Sequence, residues 1–377
     1  MPLYWIWFSM VSELTLQQKL TLLQRIPDPE DIYKANTLPD GIELDKDLSA
    51  AEAVARKCIQ KNIGVLPFFA PEFPARLRNI PDPPLILYYR GVLPDLSERP
   101  AIGVVGTRKA TSYGLHQAEV ISEQLVQQGA VVVSGGAGGV DTAALSSAIK
   151  AGGATVAVLG FGVDVVYPRT NRRLFTDILE NGCLISEYQP GAAPIAWHFP
   201  ARNRIISGIS NGVLVVEAPK RSGALLTADN ALEQGRDVFA VPGNVDSPMS
   251  RGSNALLQNG AMAVLSGWDI LREYQASYPK TVKMQPVKTD PAVTKPASDK
   301  KSVDNSRNNP YSVGEKVKYD ATAQEQALLD CLSRVPKPVD AVVAETGMPA
   351  AQVLSMLTML ALKGIVVNHP GKLVSLK

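Results

Sequence analysis

A chain of 377 residues is too long for one small core and points to two or three domains, since domains usually run to ~100–200 residues. With 45% hydrophobic and 20% charged residues the composition is that of a globular protein, which restricts disorder to local segments. The 38 Lys and Arg against 36 Asp and Glu leave a net charge of +2, so any affinity for an anionic polymer has to come from a local cluster of cations.

The opening MPLYWIWFSM is apolar but lacks a positive n-region, and it reads as packing rather than as an export signal. No stretch approaches the ~20 apolar residues that cross a bilayer, so the expectation is a cytoplasmic protein with no membrane partner. Cys58, Cys183 and Cys331 lie far apart and odd in number, without CxxC spacing, and read as thiols in a reducing compartment. From 11 to 60, apolar residues recur at helical spacing (Leu14, Leu16, Leu20, Leu23, then Ala51, Val54, Ala55, Cys58) around the Pro27-Asp28-Pro29 turn. This predicts a small helical domain over 1–70. A proline-punctuated bridge from Pro71 then ends in a strand at Leu85-Ile86-Leu87-Tyr88-Tyr89.

Over 71–274 the pattern becomes short β-branched runs at 102–105, 131–133, 155–159, 183–185, 213–216 and 238–241, separated by helical segments. Such alternation predicts an α/β fold with a mostly parallel sheet, and continuous apolar strands fit a sheet covered on both faces. Residues 275–320 are rich in Lys, Pro, Ser, Asp and Asn and read as a flexible linker. Over 321–377, helical segments at 324–332, 339–346 and 349–362 precede a hairpin of 365–368 and 373–376 around His369-Pro370-Gly371-Lys372, the outline of a winged helix.

In open parallel sheets ligands bind at the carboxyl ends of the strands, and here those ends are crowded with glycine and arginine. The first is followed by Gly106-Thr107-Arg108-Lys109 and the second by Ser134-Gly135-Gly136-Ala137-Gly138-Gly139-Val140-Asp141-Thr142. Gly160-Phe161-Gly162-Val163-Asp164 and Tyr167-Pro168-Arg169-Thr170-Asn171-Arg172-Arg173 follow the third, and Arg202-Asn203-Arg204 and Lys220-Arg221-Ser222-Gly223 flank a later strand. Glycines let a backbone approach a phosphate, and a following helix adds its positive dipole end; the same glycines also serve a tight turn with no ligand. The glycine spacings do not fit a dinucleotide fingerprint, and no GxxxxGK[ST] or GxSxG sequence occurs. His116, His198 and His369 are scattered without metal-ligand spacing, so no catalytic residue, metal or cofactor is expected. Asp141, Asp164, Glu187 and Glu217 near strand ends read as supports for arginines, and Phe161, Tyr167, Trp197 and Phe199 as either core or platforms for unpaired bases.

In this order the motifs, with Ile-Ser-Glu-Tyr, Phe-Pro-Ala-Arg-Asn-Arg-Ile-Ile-Ser-Gly, Val-Val-Glu-Ala-Pro-Lys-Arg-Ser-Gly and Ala-Val-Pro-Gly-Asn, resemble the DprA/Smf (DNA-processing A) family over about 70–274. The resemblance implies an extended Rossmann-like domain between a SAM-like helical domain and a winged helix. It also implies a homodimer that is not an enzyme, binds and protects single-stranded DNA, and loads the RecA recombinase onto it in natural transformation and recombination. Carried onto matching positions, it implies that Arg108, Lys109, Ser134, Gly135, Gly136, Arg169, Asn171, Arg202, Asn203, Arg204, Lys220 and Ser222 face phosphates. Two departures stand out. Family members usually read Ser-Gly-Leu-Ala-Arg-Gly-Ile-Asp in the loop, where this chain has Gly136-Ala137-Gly138-Gly139, and a common histidine is Leu145 here. The helix at the recognition position, 349–362, has no Lys or Arg, which suits a protein partner better than a DNA groove. The competing readings are a nucleotide-processing enzyme resembling the Lonely Guy phosphoribohydrolases, and an architectural partner of recombination proteins.

Overall fold

The computed structural model describes residues 2–282, 322–333, 336–363, 365–369 and 373–376. The chain divides into two compact units, Met1–Thr289 and Asp290–Lys377.

The first unit opens with α1 (Leu3–Met10), α2 (Leu16–Arg25), α3 (Pro29–Lys34) and α4 (Ser49–Gln60). Local chemistry sets their starts: Thr15 and Gln18 form a capping box on α2, and Asp28 caps α3 ahead of Pro29 in its first turn. Strand β1 (Gly64–Pro67), helix α5 (Ala75–Arg78) and strand β2 (Ile86–Gly91) follow. The alternating part comprises β3 (Ala101–Val105), α6 (Ser112–Gln127), β4 (Val131–Ser134), α7 (Val140–Lys150), β5 (Thr155–Val158), α8 (Arg172–Asn181) and β6 (Gly182–Ser186). It continues through α9 (His198–Ile209), β7 (Gly212–Val215), α10 (Gly223–Glu233), β8 (Asp237–Ala240), α11 (Arg251–Gln258), β9 (Met262–Ala263) and α12 (Gly267–Leu271).

The strands form one nine-stranded sheet in the order β1-β2-β6-β5-β4-β3-β7-β8-β9. Pairing is parallel from β6 through to β9, while β2 runs antiparallel to both β6 and β1. Alternation along the strands sorts side chains onto two faces. Ile102, Val104, Val132, Ala157 and Leu214 enter one apolar core, whereas Val105, Val131, Val133, Val156, Val158 and Val215 enter the other. The continuous apolar runs are thus buried on both sides, which gives the mostly parallel, Rossmann-like architecture expected from them.

Two expected boundaries differ in the structure. Ile6, Phe8, Leu22, Leu23 and Ile32 of the N-terminal helices share one core with Ile86, Tyr88 and Leu184 of the sheet, and β1 joins that sheet ahead of residue 70. The first residues of the linker expected from 275 pack instead, with Tyr278 and Val282 buried in the same core. The Tyr278 hydroxyl accepts from Asn211 Nδ2 at 3.1 Å, and Thr281 Oγ1 donates to the Glu98 carbonyl at 2.7 Å. The rest of that expected linker, 283–320, lies outside the described residues.

The second unit contains α13 (Ala323–Asp330), β10 (Lys337–Pro338), α14 (Val339–Thr346), α15 (Ala350–Leu362), β11 (Val366–His369) and β12 (Leu373–Leu376). A Thr322–Glu325 capping box starts α13, and Gly347 at φ +64° ends α14. Its three-stranded sheet has the order β10-β12-β11, antiparallel throughout, and Leu328, Val342, Val353, Leu357 and Val374 form a separate core. This is a winged helix; the expected hairpin tip at 370–372 lies outside the described residues.

Candidate nucleic-acid interface

The carboxyl ends of β3, β4, β5 and β7 open into a groove of about 640 Å³, bordered by Arg108, Lys109, Tyr167, Phe199, Arg221 and Ser222. The N-terminus of α10 faces it through Ser222, Gly223 and Ala224, which brings a positive dipole end to the floor. A recess of about 260 Å³ adjoins it, walled by the backbone of Gly135, Gly136 and Gly138 and by the rings of Phe161, Tyr167 and Phe199. A larger cavity of about 1040 Å³ lies beside β1 and β2, but its Arg76 and Arg78 already donate to the carbonyls of Leu96, Phe68 and Ala70. It offers an anion no free guanidinium from that pair, so the groove is the better candidate.

The loop after β3 is held from beneath. Glu217, buried at the end of β7, accepts from the Thr111 backbone N–H at 2.8 Å and from Thr111 Oγ1 at 2.9 Å, and its carbonyl accepts from Thr107 N–H at 2.7 Å. This raises Arg108 and Lys109 into solvent. The Arg108 guanidinium stands 5.2 Å from the Phe199 ring centroid, a cation–π contact that orients it across the recess. Among the described residues no ion pair engages Arg108, Lys109, Arg169, Lys220 or Arg221, all exposed.

The 134–139 loop turns sharply. Gly136 and Gly139 sit at φ +66° and +75°, and a Cβ on Gly139 would collide with the backbone of Thr107 and Arg108. The N–H of Gly138 has no partner among the described residues, and the space beside its Cα is open.

Several residues expected to face phosphates turn inward instead. Ser134 is fully buried and donates to the Val104 carbonyl at 2.7 Å. Asn171 is a strut whose amide donates to the Gly136 carbonyl at 3.0 Å and to Thr142 Oγ1 at 2.9 Å. Arg202 lies beneath the loop and donates to the carbonyls of Gly135 and Val158, with its Nε left without a partner. Burial lowers its pKa to about 10, against the opposing charge of Asp141, so it stays a cation at neutral pH. Burial in turn pushes the Asp141 carboxyl up, an effect that the charge of Arg202 partly offsets. Asn203 donates to the Gly223 carbonyl at 3.1 Å. Arg204 grips Glu187 with bonds of 2.8 and 2.9 Å and pairs with Asp82 at 2.9 Å. Ser222, half-buried, caps α10 by accepting from the Ala224 N–H at 3.3 Å. These residues build the loops; Arg108, Lys109, Arg169 and Lys220 present charge.

Arg221, outside the positions that the resemblance implies, is exposed and borders the groove, and its adjacency to Lys220 is the signal for it in the sequence. Trp197 is 65% exposed on the loop before α9. His198 is buried, with Nδ1 3.1 Å from the Gly160 carbonyl and its ring stacked on Tyr188. No cluster of metal-ligating side chains occurs among the described residues, and no described helix is long and apolar enough to cross a membrane.

Residues 64–275 match the family model for DNA recombination-mediator protein A, and residues 316–372 match the DprA winged helix domain. The chain belongs to the DprA/Smf family. It is 37% identical over 324 residues to Protein Smf of Synechocystis, covering 83% of this chain and 80% of that protein. It is 46% identical over 203 residues to the DNA processing protein DprA of Streptococcus pneumoniae, covering 54% of this chain and 71% of the relative. The X-ray structure of the pneumococcal DprA aligns with TM-score 0.61 and 35% identity over 72% of this chain and 98% of that one. DNA processing protein A of Helicobacter pylori, whose structure describes a single-stranded DNA binding mode, aligns with TM-score 0.52 and 29% identity over 57% and 97%.

Proposed function

We propose that this DprA/Smf protein binds single-stranded DNA in the groove above β3, β4, β5 and β7 and delivers it, as a homodimer, to the RecA recombinase. The observation that carries the reading is that Arg108, Lys109 and Arg221, exposed and in no ion pair among the described residues, border a groove whose adjoining recess is lined by three aromatic rings. Guanidinium groups grip phosphates in bidentate fashion, and free backbone N–H groups at a helix start add donors without a charge. Unpaired bases have π-faces that Tyr167 and Phe199 can meet, each such stack being worth ~1–3 kcal/mol. A duplex keeps its bases stacked inside, so the aromatic recess favours a single strand.

The enzyme reading resembling the Lonely Guy phosphoribohydrolases is not favoured. Its general acid or base would come from the carboxylates at the strand ends, and these are engaged: Glu217 by Thr111, Glu187 by Arg204, Asp164 by Lys61 and Asp141 by the Ala137 N–H. For the dimer, the region 255–264 beside the last strand is the surface put forward. Leu232, 60% exposed, lines a shallow cavity with the half-buried Leu256 and Met262, and Leu265, just after β9, is 78% exposed.

Fluorescence anisotropy of labelled oligonucleotides over a salt series tests the DNA reading. Single-strand binding is expected to weaken with a log–log slope of ~−0.7 per phosphate neutralised, with duplex bound more weakly. The Arg108→Ala/Lys220→Ala variant is expected to flatten that slope by about one to two phosphates. A variant that binds like wild type at every salt concentration would remove the groove from consideration.

A further inference from the structure

Two loops supply one side of the groove and recess. The connection after β5 carries Phe161 and Tyr167, and the connection after β6 carries Pro194 and Ala196. Both contain glycines, at 160, 162 and 191, and Gly191 has φ +84°. They are tied together by Gly162 N–H donating to the Ala192 carbonyl at 3.0 Å and by Gly191 N–H donating to Asp164 Oδ1 at 2.6 Å. The N-terminal helical region reaches this knot with two ammonium groups. Lys61 Nζ lies 2.5 Å from Asp164 Oδ2, and Lys57 Nζ donates to the Pro190 carbonyl at 2.9 Å. Their i,i+4 spacing at the end of α4 puts both on one face. A Cβ at Gly191 would collide with Lys57 Nζ, so the glycine gives the lysine its approach.

This pair differs from the exposed bridges of Arg25, Lys34 and Arg56. The Asp164 side chain is only 5% exposed, whereas the carboxylates facing Arg25, Lys34 and Arg56 are 42–73% exposed. Burial would raise the Asp164 carboxyl, but the bonds from Lys61 and from the Gly191 N–H hold it below the usual carboxylate range. Exposed bridges are worth ~0–1 kcal/mol and fluctuate; a shielded one, bonded on both oxygens, fixes geometry.

We propose that Lys57 and Lys61 are positioning residues for DNA binding: α4 clamps the loops after β5 and β6 and thereby sets Phe161, Tyr167 and Pro194 as a wall for the incoming strand. The proposal rests on the single-stranded DNA reading above and deepens it, because it gives the N-terminal helices a part in binding without a contact to DNA.

The test uses the full chain, oligo(dT) anisotropy over a salt series, and amide hydrogen exchange of 160–167 and 187–192. Lys61→Ala is expected to weaken binding about fivefold, within the range for residues that act through a packed network, with faster exchange in both loops and an unchanged salt slope. Asp164→Asn is expected to weaken it likewise, and Lys61→Arg to restore near wild-type behaviour. A Lys61 that instead held a phosphate would lower the slope by ~0.7 on truncation, and Asp164→Asn would then tighten binding by freeing it; either outcome overturns the proposal. Unchanged affinity in Lys61→Ala and Asp164→Asn, with wild type binding normally, overturns the clamp alone. Wild-type protein that binds no oligonucleotide overturns the DNA reading and this proposal with it.

Discussion

Arg108 and Arg204 lie within arginine-bearing motifs at the same end of the sheet and do opposite work. Arg204 is anchored by Glu187 and Asp82 with most of its side chain buried, while Arg108 has only the Phe199 ring beside it and solvent beyond. Arg204→Ala removes a mostly buried side chain and its bonds, while water can reach the remaining Glu187 and Asp82 carboxylates, so it is expected to lower stability by about 1–2 kcal/mol in urea unfolding. Arg108→Ala is expected to move stability by less than about 0.5 kcal/mol while weakening oligonucleotide binding. Unfolding curves and anisotropy on the same two variants check both halves, and a stable Arg204→Ala would show the pair to be dispensable. The string Arg202-Asn203-Arg204 declares a cationic segment without stating direction. Direction comes from α9 packing onto the sheet, which turns Arg202 under the 134–139 loop and Arg204 toward Glu187. The outward set is exposed: Arg108, Lys109 and Lys220 sit in loops, and Arg169 opens a short 3-10 turn (Arg169–Asn171). Position on a loop or on a buried helix was therefore the informative distinction, and motif identity alone did not carry it.

At the scale of elements, β3 through β8 were legible to within a residue or two at each end because each is a buried run of β-branched or apolar residues bounded by glycine or polar turns. Strands β1 and β9 were not. Gly-Val-Leu-Pro and Met-Ala have no period of their own, and their extended form comes from pairing with β2 and β8. The same lack of local signal hid the link between α4 and the loops after β5 and β6, which joins residues over 100 positions apart. That link has a pH signature. The folded pKa of Asp164 lies below its unfolded value, so the bridge contributes stability that is complete above the unfolded pKa of about 3.9 and is lost as pH falls through the folded pKa. Asp164→Asn is accordingly expected to be less stable than wild type at pH 6–7, with the gap closing toward pH 2–3. Urea midpoints measured across that range check the sign; a gap that stays constant would place the loss in packing rather than in the charge.

Across the whole molecule, a net charge of +2 gives little long-range attraction for a polyanion, so binding has to rest on the local cations at the groove and is expected to fall steeply with salt. One such groove holds a short piece of strand. Two grooves brought together by a dimer hold a longer strand at two points, and the second contact is then intramolecular, with gains of 10²–10⁴ in affinity when the spacing allows both. Leu232, at the end of α10, and Leu265, just after β9, lie by the edge of the sheet far from β1, and neither borders the groove. Charge placed there disfavours association without touching the groove. Leu232→Glu/Leu265→Glu is expected to convert a dimer into a monomer by light scattering at micromolar concentration. Its affinity for a short oligonucleotide that fills one groove is expected to match wild type, while that for a long strand falls by about a hundredfold. Equal losses on short and long strands would instead mean that the substitutions disturb β8 and β9 and, through β7, the groove itself; an unchanged mass would place the dimer contact on another face.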